Sequence, residues 1–170
     1  MKKIFLFLLL SFITLSLFSQ SNNATVDETV EWIRTKITGS YLLESRTDSV
    51  KINHTKDTLK IYRTQDSLFK GDVMLWSIDI IPLKTLNPDK VTYYAIGNTC
   101  YIQLYTTMDK NVIKDVIFNP VKETGYSLLR NNVIINVPTS IVTSNENIGE
   151  RLKTAFEHLI KICGGKPEKF

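Results

Sequence analysis

The spacing of the apolar residues changes twice along the chain, and these changes constrain the fold more than any other feature of the sequence. Near the N-terminus the apolar residues recur at the spacing of one helical face, at Val26, Val30, Ile33 and Ile37. From Tyr41 to Pro138 they recur at alternate positions, which is typical of β-strands. The helical spacing returns after Asn147. This order predicts an α+β fold that consists of a helix, a series of strands and a second helix.

The first predicted helix has a recognisable start and end. Thr25 and Glu28 are three residues apart, the arrangement of a capping box in which each side chain satisfies a backbone N–H of the other residue. Trp32 flanks the apolar face, and Gly39 is suited to end the helix. The pattern predicts an amphipathic helix that packs against the rest of the protein.

The alternating region divides into strands at its turn residues. We predict strands over residues 50–53, 58–63, 73–83, 91–96, 99–107, 112–118 and 132–138. The first two would form a hairpin, and Gly97-Asn98 would close another hairpin as a two-residue turn. Residues 83–90, which include Pro88, are expected to form a loop or a single helical turn. Because no helix intervenes, the roughly six to seven strands are predicted to form a mainly antiparallel sheet that curls into a barrel or a sandwich.

The last helix has the clearest pattern in the chain. Residues 147–150 can cap its start, and Gly164-Gly165 followed by Pro167 would end it. Its apolar stripe consists of Ile148, Leu152, Ala155, Phe156, Leu159, Ile162 and Cys163. His158 is among the polar residues on the other side of this helix.

Residues 1–20 have the order of a secretory signal peptide. Lys2 and Lys3 precede an apolar stretch that extends to Phe18 and is followed by small or polar residues. A membrane anchor is the alternative, because the stretch is only slightly shorter than the roughly 20 residues that span a bilayer. The lack of a charged stop-transfer cluster in the sequence favours the signal peptide. We therefore expect an exported protein, periplasmic or extracellular, with no stable membrane anchor after cleavage.

The remaining chain has the length and charge of one ordinary exported domain. About 150 residues is a common domain size, and we predict a single domain over residues 24–165 with a tail at 166–170. The net charge of the whole chain is +4, and removal of Lys2 and Lys3 with the signal peptide leaves +2. A charge this small, with basic and acidic residues interspersed, argues against nucleic acid as a partner.

The sequence contains no motif that indicates catalytic residues, a cofactor or a metal ion. His54 and His158 are the two histidines of the chain, and they lack the spacing of a zinc site. Both are expected at the surface, because His54 falls in a predicted hairpin turn and His158 on the polar flank of the last helix. Asp79 lies between Ile78 and Ile80, and alternation places it on the opposite face of the strand, where we expect it to contact solvent. An enzyme whose site is assembled from distant residues is a disfavoured alternative.

The two cysteines both fall on predicted interior faces. Cys100 shares a strand face with Ile102 and Leu104, and Cys163 ends the apolar stripe of the last helix. A disulfide between them would close a loop of 62 residues, which contributes roughly 4 kcal/mol in the chain-entropy description. The alternative is two buried free thiols that pack as small apolar groups.

Three tripeptides share the form Asp-Ser/Thr-apolar, and they begin at Asp48, Asp57 and Asp66. The form is similar to the acceptor pattern of an O-glycosylation system in some Gram-negative bacteria, with Ser49, Thr58 and Ser67 as the acceptors. The favoured interpretation is that Asp and Ser/Thr are simply suited to turns and strand starts.

In residues 81–88 a strand ends in the Pro82-Leu83 step and a short turn, and residues 151–164 carry the terminal helix. With these two segments the chain resembles a group of small exported bacterial proteins that have a pleckstrin-homology-like (PH-like) domain. The resemblance covers approximately residues 25–165. It implies a barrel of about seven strands with one open end plugged by the C-terminal helix. It implies no activity and no catalytic residue.

These observations favour a non-enzymatic binding or accessory module of the bacterial cell envelope. PH-like barrels offer an edge and a rim to a protein, a peptide or another envelope ligand. Tyr93, Tyr101 and Tyr105 are candidates for a contact patch on the strand face opposite the core, although cross-strand packing would also explain them. A carrier of a small apolar ligand is the alternative, and a hydrolase is third.

Overall fold

The computed structural model describes residues 24–39, 41–42, 45–53, 55–65, 75–96, 99–119, 124–137 and 147–168. The predicted signal peptide lies outside these ranges, as do His54, Ser67 and the Gly97-Asn98 turn. Two α-helices and two antiparallel sheets account for most of the described residues, which confirms the predicted α+β class.

Helix α1 (Val26–Ile37) begins and ends where the sequence predicts. Thr25 N donates to Glu28 Oε2 over 2.8 Å and Glu28 N donates to Thr25 Oγ1 over 3.3 Å, so the capping box is confirmed. The predicted apolar face is inside, because Ile33 and Ile37 are fully buried. Gly39 has a φ of 83°, the left-handed conformation that favours glycine directly after a helix.

The larger sheet contains six strands. They are β1 (Tyr41–Leu42), β2 (Ser45–Ile52), β3 (Thr58–Gln65), β4 (Leu75–Pro82), β7 (Ile113–Asn119) and β8 (Thr124–Arg130). Neighbours in the order β1-β2-β3-β4-β7-β8 pair antiparallel. Leu59, Ile61 and Ile81 are fully buried on its inner face.

The smaller sheet contains β5 (Thr92–Ile96), β6 (Thr99–Tyr105) and β9 (Asn132–Val137), in the order β5-β6-β9. Ile96 is paired with Thr99, which fits the predicted two-residue connection. Alternate residues of β6 are buried, as the sequence predicts for Cys100, Ile102 and Leu104.

The chain crosses between the sheets through short turns. Leu83–Thr85 and Pro88–Lys90 form single turns of 3-10 helix after β4, in the segment predicted to be a loop or one helical turn. After β6, the backbone takes positive φ values at Met108 (56°) and Asp109 (50°) and redirects the chain into β7.

Helix α2 (Ile148–Ile162) packs across the smaller sheet, the 3-10 turns and α1. Its first turn is capped by Asn147, whose Oδ1 accepts from Glu150 N over 3.2 Å. Phe156 and Leu159 are fully buried, so the predicted apolar stripe faces the core. Beyond the helix, Glu168 accepts hydrogen bonds from Lys90 Nζ and from Met108 N, which attaches the predicted tail to the domain.

The strands do not close into the barrel that the sequence predicts. Within the described residues, no strand of the larger sheet pairs with a strand of the smaller sheet, and only an isolated bridge joins Leu86 to Thr106 between them. The physical reason is the connection after β6, which returns the chain to the edge of β4 instead of continuing the smaller sheet. The predicted series of strands also omitted β1 and β8.

Candidate functional site between the helices

A groove of about 500 Å³ lies between α1 and α2. Its surface is mainly apolar, and the residues that form it include Ala24, Thr29, Trp32 and Ala155. Trp32 and Ala155 are half-buried and also pack against the core. Ligand sites in proteins are typically concave, mainly apolar surfaces of about this volume with a few polar groups. The groove is therefore the candidate binding site.

Charged and polar side chains line the rim of this groove. They are Glu28, Glu150, Arg151, Thr154 and His158. Carbon Cζ of Arg151 lies 5.4 Å from the centre of the Trp32 ring, a cation–π arrangement that holds the indole between the two helices. His158 Nε2 lies 2.9 Å from the carbonyl oxygen of Ala24, at the start of α1. His158 is thus half-buried and hydrogen-bonded rather than the free surface residue that the sequence predicts.

The carboxylates of the rim are engaged with neighbouring groups. Glu28 belongs to the capping box, and the hydrogen bonds from Thr25 lower the pKa of its carboxyl. Glu150 lies 3.6 Å from Lys153 Nζ, and Lys153 also contacts Glu157 at 3.0 Å. The rim therefore consists of groups that stabilise the helix ends and the helix surface.

Sequence reasoning did not identify the groove. The pattern that could have indicated it is on α2, where Arg151, Thr154 and His158 recur at helical spacing beside Ala155 of the apolar stripe. This spacing does not predict a groove by itself, because the concave surface forms only where α1 and α2 lie side by side.

A second polar cluster is buried on the inner face of the larger sheet. Asp79 on β4 is directly opposite Asp115 on β7, and both side chains are buried. Arg63 Nη1 lies 2.8 Å from Asp79 Oδ2, and Arg130 forms ion pairs with Asp115 and, at 3.7 Å, with Asp79. Burial raises the pKa of Asp79, and the charge of Arg63 opposes this shift.

The prediction that Asp79 faces solvent is wrong. Asp79 is 2% exposed, whereas Trp76 on the opposite face of the same strand is 54% exposed. The alternation of side chains along β4 separated the two faces of the strand correctly, but it does not show which of these faces is buried. The charge of Asp79 is tolerated there because Arg63, on the neighbouring strand β3, and Arg130, two strands away on β8, form ion pairs with it.

The three predicted patch tyrosines do not share one face. Tyr93 is paired with the buried Ile102 and packs against the core, so it lies on the inner face of the smaller sheet. Tyr101 and Tyr105 lie on the outer face, because they alternate with the buried residues of β6. Tyr94 accompanies them, with its ring stacked on that of Tyr101 at 5.1 Å. The patch therefore contains Tyr94 in place of Tyr93, and cross-strand packing accounts for it.

Of the two alternatives for the cysteines, the disulfide does not fit the structure. Both thiols are free. A Cβ atom added to Gly149 would lie 2.9 Å from Cys100 Sγ, which places Cys100 beside the first turn of α2. Cys163 follows the other end of this helix, roughly 20 Å along its axis at 1.5 Å per residue. A disulfide requires Cα atoms within about 7 Å of each other.

The Asp-Ser/Thr tripeptides occupy a strand and a turn where the structure describes them. Ser49 lies in β2 after a bulge, and Thr58 is the first residue of β3. Asp57 Oδ1 accepts hydrogen bonds from Asn53, Thr55 and Thr58, which lower the pKa of Asp57 to about 2. Asp57 thus organises the turn between the two strands, as the turn interpretation predicts.

No cluster of three or more metal-binding side chains occurs in the described ranges. In the same residues, none of the helices has the length and apolar character needed to cross a membrane. Comparisons of the chain with protein-family models, with curated proteins and with solved structures found no match.

Proposed function

We propose that the protein is an exported, non-enzymatic binding module of the bacterial cell envelope that binds an apolar group in the groove between α1 and α2. The observation that carries this proposal is the mainly apolar, open groove of about 500 Å³, whose lining also includes the charged residues Glu28, Glu150 and Arg151. Burial of apolar ligand surface supplies the affinity, and Arg151 and Glu150 at the rim select the polar end of the ligand.

The polar side chains that line the groove already contact other groups of the protein, which favours binding over catalysis. A general base must be free to reach a substrate proton, and the carboxylates that line the groove are engaged with other groups. Glu28 is committed to the helix cap, and Glu150 is close to Lys153. A hydrolase is therefore the weaker proposal for this groove.

The carrier hypothesis requires a ligand space inside the fold. Large side chains, among them Phe156, Leu104 and Ile135, fill the region between the sheets and α2 and are fully buried. The groove lies outside this packed core and is open to solvent. For this reason we favour a surface-binding module over a carrier that encloses its ligand.

We further propose that the chain is a distant relative of the exported PH-like proteins. Two antiparallel sheets and a C-terminal helix packed against the smaller one support this relationship. The separation of the sheets, with β7 between β4 and β8, differs from the closed barrel that the resemblance implies and counts against it.

The binding proposal is tested with the fluorescent apolar probe 8-anilinonaphthalene-1-sulfonate. In a Trp76→Phe background, Trp32 is the only remaining tryptophan, because the chain has two. We expect saturable probe binding with energy transfer from Trp32. Thr154→Phe places a ring in the groove from an exposed position and should weaken binding at least tenfold.

Lys161→Phe is the matched control, since Lys161 is exposed on the same helix but does not line the groove. It should bind the probe like the parent protein. Equal binding by Thr154→Phe and the parent would exclude the groove as the site. Loss of binding in both variants would indicate a general effect on α2.

Export is tested separately by fusing residues 1–23 to a reporter that is active only outside the cytoplasm. We expect reporter activity, and we expect Lys2→Glu/Lys3→Glu to reduce it because the positive n-region is lost. A fusion that stays in the cytoplasm would contradict the proposed location without affecting the binding proposal.

A further inference from the structure

The outer edge of the larger sheet exposes apolar side chains on both of its faces. Among the described strands, β8 pairs with β7 alone, so no described strand covers its other edge. Residues 124–129 are all exposed, and none of them is charged. Tyr126 is 59%, Leu128 50% and Leu129 61% exposed. Monomeric proteins usually protect such an edge with lysine, proline or a bulge, and β8 contains none of these.

The apolar surface continues from β8 to its neighbours. On the outer face Phe118 is 37% exposed and packs against Trp76 with ring centres 6.4 Å apart. Phe118 is paired with Gly125 of β8, which has no side chain to cover it. The exposed apolar side chains of this region present on the order of 500 Å². A patch of this size is at the upper end of what monomers tolerate.

We propose that β8 pairs antiparallel with β8 of a second copy of this chain, with the twofold axis at Ser127. This register places Leu129 of each copy opposite Gly125 of the other, where its side chain covers Phe118. It places Tyr126 opposite Leu128 on the inner face, an aromatic–aliphatic pair that occurs twice by symmetry. Arg130 lies opposite Thr124, so no like charges face each other.

The self-complementary pattern is what favours a second copy over another peptide. Gly125 and Leu129 are equidistant from Ser127, as are Tyr126 and Leu128. Two patches carry about 1,000 Å² of exposed apolar surface, of which the pairing buries the part nearest the edge, and the backbone hydrogen bonds of the new ladder add to the interaction. We therefore expect a weak, concentration-dependent dimer that joins two six-stranded sheets edge to edge.

Sedimentation equilibrium of the purified protein tests this proposal. The parent protein should show a concentration-dependent monomer–dimer equilibrium. Ser127→Lys places two positive charges against each other at the axis and should weaken the dimer at least tenfold, while an exposed lysine on an edge strand is tolerated in the monomer. Thr92→Lys, at an exposed position on β5, is the matched control and should dimerise like the parent.

A cysteine at the axis tests the register. In a Cys163→Ser background, Ser127→Cys should be joined to its symmetry mate by a short thiol-to-thiol cross-linker, whereas Thr92→Cys should not. A parent protein that is monomeric throughout would overturn the proposal. So would a Ser127→Lys variant that folds normally by circular dichroism and dimerises undiminished, or a dimer that fails to cross-link at residue 127.

Discussion

At the scale of single residues, Arg63 links the two sheets. Its Nη1 atom lies 2.8 Å from Asp79 in the larger sheet, and its Nη2 atom donates to the carbonyl oxygen of Ile134 in the smaller sheet over 3.0 Å. Only 8% of Arg63 and 2% of Asp79 is exposed. A buried ion pair of this kind adds little net stability against an apolar pair, but the loss of one partner leaves a costly buried charge.

Arg63→Met is therefore expected to lower the free energy of unfolding at pH 7 by about 3–5 kcal/mol, because Asp79 loses its nearest cation. Urea denaturation measures this loss. The double variant Arg63→Met/Asp79→Leu should recover most of it, since the unpaired charge is then gone. A double variant that is as unstable as Arg63→Met would show that the ion pair is not the cause.

The same variant should change how stability depends on pH. Burial raises the pKa of Asp79 above its ordinary value of 3.8, so the folded state holds this proton more tightly than the unfolded state. The contribution of Asp79 to the free energy of unfolding should therefore fall as the pH rises from 3.8 through the pKa of the folded state. Without Arg63 this pKa is higher still, and the fall should be larger and extend to higher pH. An identical pH dependence in both proteins would contradict this account.

At the scale of elements, α2 has two different faces. Phe156 and Leu159 are fully buried in the core, while Arg151, Thr154 and His158 line the groove shared with α1. One helix thus contributes to the stability of the fold and to the candidate site. Variants on the two faces can separate these contributions.

Phe156→Ala should lower the free energy of unfolding by about 3–5 kcal/mol through lost burial and a cavity. Lys161→Ala on the exposed side should change it by less than about 0.5 kcal/mol. His158→Ala should have an intermediate effect of about 1 kcal/mol, because it removes the contact with Ala24 O. Denaturant melts decide the order, and a larger loss for Lys161→Ala than for Phe156→Ala would mean that the faces are wrongly assigned.

The first turn of α2 approaches the smaller sheet closely. A Cβ atom at Gly149 would lie 2.6 Å from Tyr93 Cδ2, well inside van der Waals contact. Gly149→Ala should therefore destabilise the protein by about 1–3 kcal/mol, although alanine favours helices by about 1 kcal/mol over glycine. Adding Tyr93→Leu should restore part of the loss. A thermal melt in which Gly149→Ala raises the melting temperature would contradict the close approach.

At the scale of the whole molecule, the two cysteines lie near opposite ends of α2, Cys100 on β6 beside its first turn and Cys163 directly after its last residue. Burial raises the pKa of both thiols, so they remain protonated at neutral pH. Protein recovered from an oxidising compartment and unfolded without reductant should titrate two free thiols per chain, and reductant should leave the melting temperature unchanged. A titration of zero thiols, with intramolecular linkage shown by mass spectrometry, would overturn this arrangement of α2.

The amino-acid sequence by itself determined the local structure. Three predicted features depend only on residues that are close together in the chain: the capping box of Thr25, the apolar stripes of the two helices and the alternation in β6. The spacing of the apolar residues therefore indicates such features directly. Only the tertiary structure decided how these elements combine. Contacts between residues far apart in the chain decide three features. They decide whether β7 joins β4 or continues the smaller sheet, whether Asp79 lies inside, and whether a groove exists beside His158. A periodic pattern separates two faces of a strand or helix, but the packing of distant elements determines which face is buried and what the other face can bind.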